Sequence, residues 1–136
     1  MDLIKSLFIS ASGLRAQNGR MRIIAENIAN ANSTAKTPQE EPYRRKIPTF
    51  KSQFDRELEA STVELGKIAE DKSDFRSVHM PGHPAADDNG YVLHPNVNTL
   101  IETTDMREAQ RSYEANLNVI DSTRRMLQRT IDILRT

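Results

Sequence analysis

The sequence predicts an α+β protein, with two long terminal helices paired in a coiled-coil-like layer and a small β-rich or irregular insert between them. All six prolines lie between Pro38 and Pro95, and because proline breaks helix interiors, only the two ends are free to form long helices. Apolar residues recur every seven positions in both ends, whereas the middle contains short alternating or β-branched stretches. We therefore expect residues 1–34 and 99–136 to form the helical layer and residues 35–98 to form the insert.

The N-terminal helix, predicted over Asp2–Asn30, carries a heptad repeat of the kind that packs helices together. Small residues at the second core position would let another helix approach closely, and Asn18 is a polar break that can fix register at a cost in stability. The first core position is filled by Leu7, Leu14, Met21 and Ile28, and the second by Ile4, Ala11, Asn18 and Ala25.

A second apolar stripe lies on the opposite side of this helix, at Ile9, Ala16 and Ile23. Amphipathic helices usually close on each other as an antiparallel hairpin, but such a hairpin covers only one face of each helix. A helix that is apolar nearly all round is normally buried all round. We therefore expect neighbouring subunits to cover the second stripe.

The C-terminal helix, predicted over Leu100–Arg135, repeats this pattern. Its start is assigned to a capping box in which Thr99 caps the helix and Glu102 reaches back. Apolar residues broaden toward its end, and contiguous exposed apolar surface usually marks an interaction site. One core position is filled by Met106, Tyr113, Ile120, Leu127 and Leu134, and the alternate position by Leu117 and Ile131 beside Gln110 and Arg124.

These stripes predict association with neighbouring subunits. Burying one Leu or Ile side chain contributes about 1.5–3 kcal/mol, so a few such contacts favour association. A head-to-tail contact that does not close generates a helical filament. The residues expected to pack helices in the assembly are Ile4, Leu7, Ile9, Leu14, Met21, Ile23, Ile28, Tyr113, Leu117, Ile120, Leu127, Ile131 and Leu134.

Short strands are predicted in the insert, over residues 43–54, 62–68 and 75–80, because these stretches alternate in polarity or are β-branched. Pro81-Gly82 and Asn89-Gly90 supply residues that favour turns. We expect a small twisted hairpin or a three-stranded patch.

Composition excludes several classes of function. The chain has no Cys, which excludes disulfides, thiolate metal sites and a Cys nucleophile. Nineteen basic and nineteen acidic residues cancel, which argues against a general nucleic-acid binder. There is no P-loop, GxSxG or dinucleotide-binding fingerprint. We therefore expect a protein that is not an enzyme, with no catalytic residues, no cofactor and no nucleic-acid partner.

Two polar clusters have simple structural explanations. His79 and His83 flank Pro81-Gly82, but the spacing defines no third strong ligand, so an exposed polar turn is favoured over a metal site. Arg44-Arg45-Lys46 could contact phosphate, but in a chain of zero net charge we interpret these residues as charged guards of a strand edge.

The N-terminus does not resemble a cleaved secretory signal. Asp2 stands where a positive region is needed, and the apolar run Leu7–Ile9 is too short. No stretch approaches the roughly 20 apolar residues of a membrane span. If the chain leaves the cytoplasm, we expect a route that reads no such signal.

Several motifs, in order along nearly the whole chain, resemble those of the bacterial flagellar rod and hook proteins. The opening motif covers Ser10–Gln17 and Glu26–Ser33, the closing helix motif covers Met106–Leu117, and two middle motifs cover Pro42–Lys46 and Gly90–Asn98. The residues that match these motifs include Asn27, Asn30, Ser33, Tyr43, Arg44, Arg45, Asn96, Asn98, Arg111, Glu114 and Asn116.

The resemblance implies a structural subunit of the flagellar basal body that polymerises into the proximal rod, the drive shaft across the periplasm. It implies that other rod subunits and copies of the same chain are partners, and that the flagellar type III apparatus exports the chain unfolded. The terminal helices would form the inner layer and the insert would face outward. Two stretches, Thr34–Thr37 and Gln39–Glu41, depart from the family pattern, so the resemblance does not extend to the conformation of that loop. The alternative is a self-contained helical hairpin that presents the insert to a small molecule or another protein.

Overall fold

The computed structural model describes residues 2–135, and its two helices and six short strands confirm the predicted α+β class. The predicted helical ranges 1–34 and 99–136 each include one end residue that lies outside the described residues. In chain order, the elements are α1 (Leu3–Ala29), β1 (Lys46–Ile47), β2 (Phe50–Asp55), β3 (Ala60–Leu65), β4 (Ala69–Glu70), β5 (Arg76–His79), β6 (Tyr91–His94) and α2 (Thr99–Leu134).

Side-chain caps define the starts of both helices. Asp2 Oδ1 accepts a hydrogen bond from a first-turn N–H of α1 at 3.0 Å. Asn98 Oδ1 accepts one from the N–H of Leu100, also at 3.0 Å, and so begins α2. The predicted capping box is therefore wrong, because Asn98 rather than Thr99 caps the helix and the Glu102 carboxylate is bonded elsewhere. Within residues 2–135, no helix combines the length and the apolar character needed to cross a membrane.

The strands form three separate antiparallel pairs, β1 with β4, β2 with β3, and β5 with β6. The predicted arrangement as one hairpin or one three-stranded patch is therefore wrong. Strand β6 was not among the predicted strands, and it follows directly after Gly90, whose φ is +81°. Glycine adopts this left-handed conformation without a steric penalty, which lets the chain turn into β6.

The chain folds as two compact units, and both long helices contribute to each. Unit 1 comprises the chain up to Met21, Thr49–Lys67 and the chain from Arg107 onward. Unit 2 comprises Arg22–Pro48 and Ile68–Met106. Each unit therefore contains a stretch of α1, a stretch of α2 and part of the insert.

In unit 1 the two helices run antiparallel and lie close together. Arg20 Nη2 lies 3.5 Å from Glu108 Oε2. Nearer the start of α1, a Cβ added to Gly13 would lie 2.9 Å from the side-chain amide of Asn116. Because α2 is longer than α1, this register leaves about two turns at the end of α2 beyond the start of α1.

The β2–β3 hairpin packs along α1 in the same unit. The N–H of Val63 donates a hydrogen bond to Ser12 Oγ at 3.2 Å. A Cβ added to Gly19 would lie 3.0 Å from Leu65 Cδ2. Strand β3 is thus held against α1 at positions where the helix carries small side chains.

The apolar core of unit 2 is small. Ile23 and Ile24 on α1 and Val92 on β6 are each at most 2% exposed. Asn27 and Glu102 are buried just as completely, at 0%. The interior of unit 2 therefore combines a few large aliphatic side chains with fully buried polar groups.

The close approach at Gly13 generates a stability prediction. We expect Gly13→Val to lower the free energy of unfolding by about 1–3 kcal/mol, because the added methyl groups overfill the contact with Asn116. Thermal unfolding followed by far-ultraviolet circular dichroism measures the change. The same substitution at Gly82, where an added Cβ has no neighbour within 4 Å, should change stability by less than about 0.5 kcal/mol. Equal melting temperatures for the wild type and Gly13→Val would contradict the close helix packing.

Candidate functional site

Residues from five separate segments of unit 2 converge on one polar network, of which Asn27 and Glu102 are fully buried. We define the polar network by its six members, which the chain brings together from α1, the segment before β1, the loop after β4, the segment after β6 and the first turn of α2. Its members are Asn27, Tyr43, Arg45, Asp71, Asn96 and Glu102.

Asn27 lies at the centre of this network, near the end of α1. Its Nδ2 donates hydrogen bonds to the backbone oxygen of Lys46 at 2.8 Å and to Glu102 Oε2 at 3.1 Å. Its Oδ1 accepts hydrogen bonds from the Tyr43 hydroxyl at 2.8 Å and from the N–H of Lys46 at 3.0 Å. Both amide hydrogens and both oxygen lone pairs are therefore used, which is the full capacity of this side chain.

Glu102 supplies the buried negative charge of the network. Besides the bond from Asn27, its carboxylate accepts a hydrogen bond from Arg45 Nε. The Arg45 guanidinium also lies near two further carboxylates, at 3.5 Å from Asp71 Oδ2 and 3.7 Å from Asp105 Oδ2. A fully buried carboxylate is tolerated only when it is paired and hydrogen-bonded, and removing one partner of such a pair typically costs about 3–5 kcal/mol.

Asn96 connects the network to the loop after β4. Its Oδ1 accepts a hydrogen bond from the N–H of Arg45 at 2.8 Å, and its Nδ2 donates to the backbone oxygen of Asp71 at 2.9 Å. Arg44 Nη1 donates to the same oxygen at 2.9 Å, and its guanidinium carbon lies 4.3 Å from the centre of the Phe75 ring. The strand-edge explanation of Arg44-Arg45-Lys46 is therefore wrong for Arg44 and Arg45, since both side chains bind inside unit 2.

The network shifts the proton affinities of three of its members. Burial, with the nearby charges of Glu26 and Glu102, raises the pKa of Tyr43 to about 12. Burial would lower the pKa of Arg45, but the hydrogen bonds and charges of Glu102 and Asp71 outweigh it and raise that pKa above its ordinary value. Hydrogen bonds from Ser73, and to a smaller extent Arg45, lower the pKa of Asp71. Asp71 therefore contributes stability at neutral pH that is lost as the pH falls through its lowered pKa.

Two of the three histidines, His79 and His83, were considered as metal ligands, and both make other contacts. The N–H of Ala85 donates to His83 Nδ1 at 3.0 Å, and His83 Nε2 lies 3.2 Å from Thr34 Oγ1. The His79 ring packs edge-on against Tyr91, with the ring centres 5.1 Å apart. In the part of the chain that the structure describes, no three His, Cys, Asp or Glu side chains are placed to hold a metal ion.

The remaining motif residues have local roles or lie on the surface. Asn30 Nδ2 donates to the backbone oxygen of Glu26 at 2.9 Å, and Ser33 Oγ donates to that of Asn30 at 2.8 Å, so both shape the exit from α1. Asn116 is partly buried beside Gly13, whereas Arg111 and Glu114 are exposed on α2. The structure therefore gathers only part of the motif set into one site.

The prediction that neighbours cover the second stripe of α1 is wrong for two of its three residues. Ala16 and Ile23, from the stripe expected to need cover by neighbours, are 3% and 2% exposed within the chain itself. Ile4, from the predicted core seam, is 56% exposed. The chain covers Ala16 and Ile23 because small residues such as Ser12 and Gly13 beside them admit β3 and α2 at close range, whereas Ile9 of the same stripe is 39% exposed.

The predicted packing residues therefore differ widely in exposure, and their role in assembly stays a prediction. Ile23 is buried, Leu7, Leu14, Met21, Ile28, Tyr113, Ile120 and Leu127 are partly buried, and Ile4, Ile9, Leu117, Ile131 and Leu134 are exposed.

Sequence reasoning missed two members of the network. Glu102 was interpreted only as a capping residue, and Asp71 carried no signal, because its partner Arg45 is 26 positions away. For Glu102 a clue was available. It lies one heptad before Ala109, so it is a charged residue on the apolar side of the helix.

The raised pKa of Tyr43 generates a second prediction. In the unfolded chain the phenol ionises near pH 10, whereas in the folded chain it ionises near pH 12. The folded state thus binds this proton more tightly, so stability should fall as the pH rises from about 10 to 12. We expect Tyr43→Phe to reduce this fall, measured by urea unfolding at pH 9, 10 and 11. At pH 9, the difference in free energy of unfolding between the wild type and Tyr43→Phe measures the effect of the lost hydrogen bond to Asn27. If the stability of Tyr43→Phe fell with pH as steeply as that of the wild type, the burial of the phenol would be contradicted.

Comparisons with known proteins agree with the motif resemblance. A family model described as "Flagella basal body rod protein" matches residues 7–35, and one described as "Flagellar basal body rod FlgEFG protein C-terminal" matches residues 88–133. The chain is 53% identical to the flagellar basal-body rod protein FlgC of Agrobacterium fabrum, over 93% of this chain and 91% of that protein. It is 38% identical to FlgC of Bacillus subtilis, over 98% and 99% of the two chains, and 34% identical to FlgC of Salmonella typhimurium, over 98% of each. The chain therefore belongs to the FlgC family of flagellar basal-body rod proteins.

Proposed function

We propose that this chain is a structural subunit of the flagellar basal body that polymerises with copies of itself and with other rod subunits into the proximal rod across the periplasm. Membership of a family of rod proteins supports a structural role rather than an enzymatic one. The observation that carries the finer proposal is the apolar surface that both terminal helices leave uncovered.

On α1, the uncovered surface is the heptad seam itself. Its second core position is filled by Ile4, Ala11, Asn18 and Ala25. Among the apolar residues of this set, Ile4 and Ala25 are exposed. Phe8 beside this seam is 51% exposed. Heptad seams pack against other helices, and here α2 and the β2–β3 hairpin contact the opposite side of α1. A helix of a neighbouring subunit fits the vacant side.

On α2, the apolar surface lies beside the pairing face and on the final two turns. Leu117 is 41% exposed, and Leu134 in the final turn is 79% exposed. Each such side chain contributes about 1.5–3 kcal/mol when a neighbour covers it. Contiguous apolar surface of this kind is uncommon on monomeric proteins and marks sites of association.

The total exposed area supports the same conclusion. The chain exposes 9650 Å², whereas a folded monomer of 15.4 kDa is expected to expose about 7200 Å². About a quarter of the exposed area is therefore in excess of the area expected for a self-sufficient monomer of this mass. A subunit that is completed by its neighbours accounts for this excess.

In the assembled rod we propose that residues 1–34 and 99–136 form the inner helical layer and that residues 35–98 face outward. We also propose the flagellar type III apparatus as an export partner, which the family resemblance supports. A chain without Cys needs no disulfide to reach its folded state, so folding after export requires no oxidation step.

A pair of adjacent substitutions on α2 tests the proposal. Leu117 and Asn118 are both exposed, so replacing either with Asp adds the same charge with little effect on the isolated fold. We expect Leu117→Asp to abolish or strongly reduce swimming in a strain that carries this chain as its only copy, because the carboxylate would be buried against a neighbour. Asn118→Asp, on the solvated side, should swim normally.

Sedimentation of the purified wild type over a range of concentrations provides an independent measurement. We expect its mass to rise with concentration and the Leu117→Asp variant to stay monomeric. Normal swimming by Leu117→Asp, together with a wild type that stays a compact monomer at every concentration, would favour the self-contained binding module instead.

A further inference from the structure

The facing positions of the paired helices recur every seven residues. On α1 they are Gly13, Arg20 and Asn27, and on α2 they include Glu102 and Asn116. Gly13 lies against Asn116 and Asn27 against Glu102, so the contacts themselves repeat at intervals of about two turns. Helices that pair through a heptad repeat can slip by one repeat and meet again in an equivalent way.

The apolar residues beside these positions do little to forbid such a slip. On α1 the second stripe repeats as Ile9, Ala16 and Ile23, of which the last two are buried. On α2 the apolar stripe repeats as Met106, Tyr113, Ile120 and Leu127, all partly buried. Hydrophobic contacts are non-directional and scale with the area buried. A shift of one heptad exchanges one aliphatic or aromatic neighbour for another, so these stripes accept several registers.

The polar network accepts one register only. If α1 slips so that Asn27 faces Ala109, Glu102 moves past the end of α1 and loses both Asn27 and Arg45. If α1 slips the other way, Glu102 meets Arg20, but Asn27 then lies beyond the start of α2 with its four hydrogen bonds broken. Directional hydrogen bonds to a buried charge are lost in both cases, and an unpaired buried charge is strongly unfavourable.

We propose that Glu102, with Asn27 and Arg45, fixes the axial register of α1 against α2. The inference goes beyond the proposed function, because it concerns the pairing of two helices within a single chain and needs no neighbour. Arg45 arrives from the segment before β1 and is itself held by Asn96. The register is therefore set only when that segment is docked in unit 2.

Spin-label distances measure the register directly. The chain contains no Cys, so Asn18→Cys and Arg125→Cys, both at exposed positions, introduce a unique pair of labelling sites away from the network. The two sites are offset along the helices by about four turns in the observed register, so a slip of one heptad moves them by about 10 Å along the axis. Pulsed electron–electron double resonance on the doubly labelled full chain should give one narrow distribution of distances between the two labels.

The decisive variant replaces Asn27, Arg45 and Glu102 together with Leu, Met and Leu. Well-packed apolar replacements of a buried charged cluster are often neutral or stabilising, so we expect this variant to remain folded but to show a second distance shifted by several ångströms. The conservative variant Glu102→Gln, which can still accept from Arg45, should retain the single wild-type distance.

Each other outcome overturns the proposal. A single unshifted distance in the apolar triple variant would mean that packing alone sets the register. An unfolded triple variant, shown by circular dichroism, would mean that the network is needed for folding itself. A broad distribution in the labelled wild type would mean that the network does not hold the helices in one register.

Discussion

The constraint on which unit 2 depends is the fully buried carboxylate of Glu102. A charge in that position must be matched by donors from within the protein, and the chain supplies Arg45 and Asn27. Meeting this requirement brings the segment around Tyr43 against both helices and, through Asn96, the loop at Asp71. The irregular insert in this unit is therefore ordered by hydrogen bonds to one charge more than by its own short strands.

Unit 1 is stabilised differently, because few large apolar side chains are buried between its two helices. Ala16 and Ala109 are almost fully buried, and Gly13 allows Asn116 to approach within contact distance. Small residues at these positions let the facing side chains of the other helix come within van der Waals distance. Larger aliphatic residues such as Ile4 and Leu117 are left exposed on the two helices.

The two helices could be predicted from sequence because their signals are local: prolines confined to the middle and heptads at both ends. The face of α1 that the chain covers could not be predicted, since both stripes are apolar and the choice depends on where β3 and α2 pack. Strand β6 was missed because four residues carry too little periodicity to stand out. Asn27, Tyr43, Arg45 and Asn96 were singled out through the family resemblance, but their convergence required contacts between residues up to 75 positions apart.

The buried polar network and the uncovered apolar faces are both explained by the association with neighbouring subunits that we propose. In the assembly that we propose, these apolar residues bind neighbours, so fewer of them are available to specify the fold of the subunit. Apolar contacts alone would not specify the axial register of α1 against α2, because heptad stripes pack equally well in several registers. Hydrogen bonds to a buried charge are directional and tolerate few alternatives. Placing these hydrogen bonds where the insert joins the helices lets the chain define its internal geometry without using the exposed apolar surface that we propose for its neighbours.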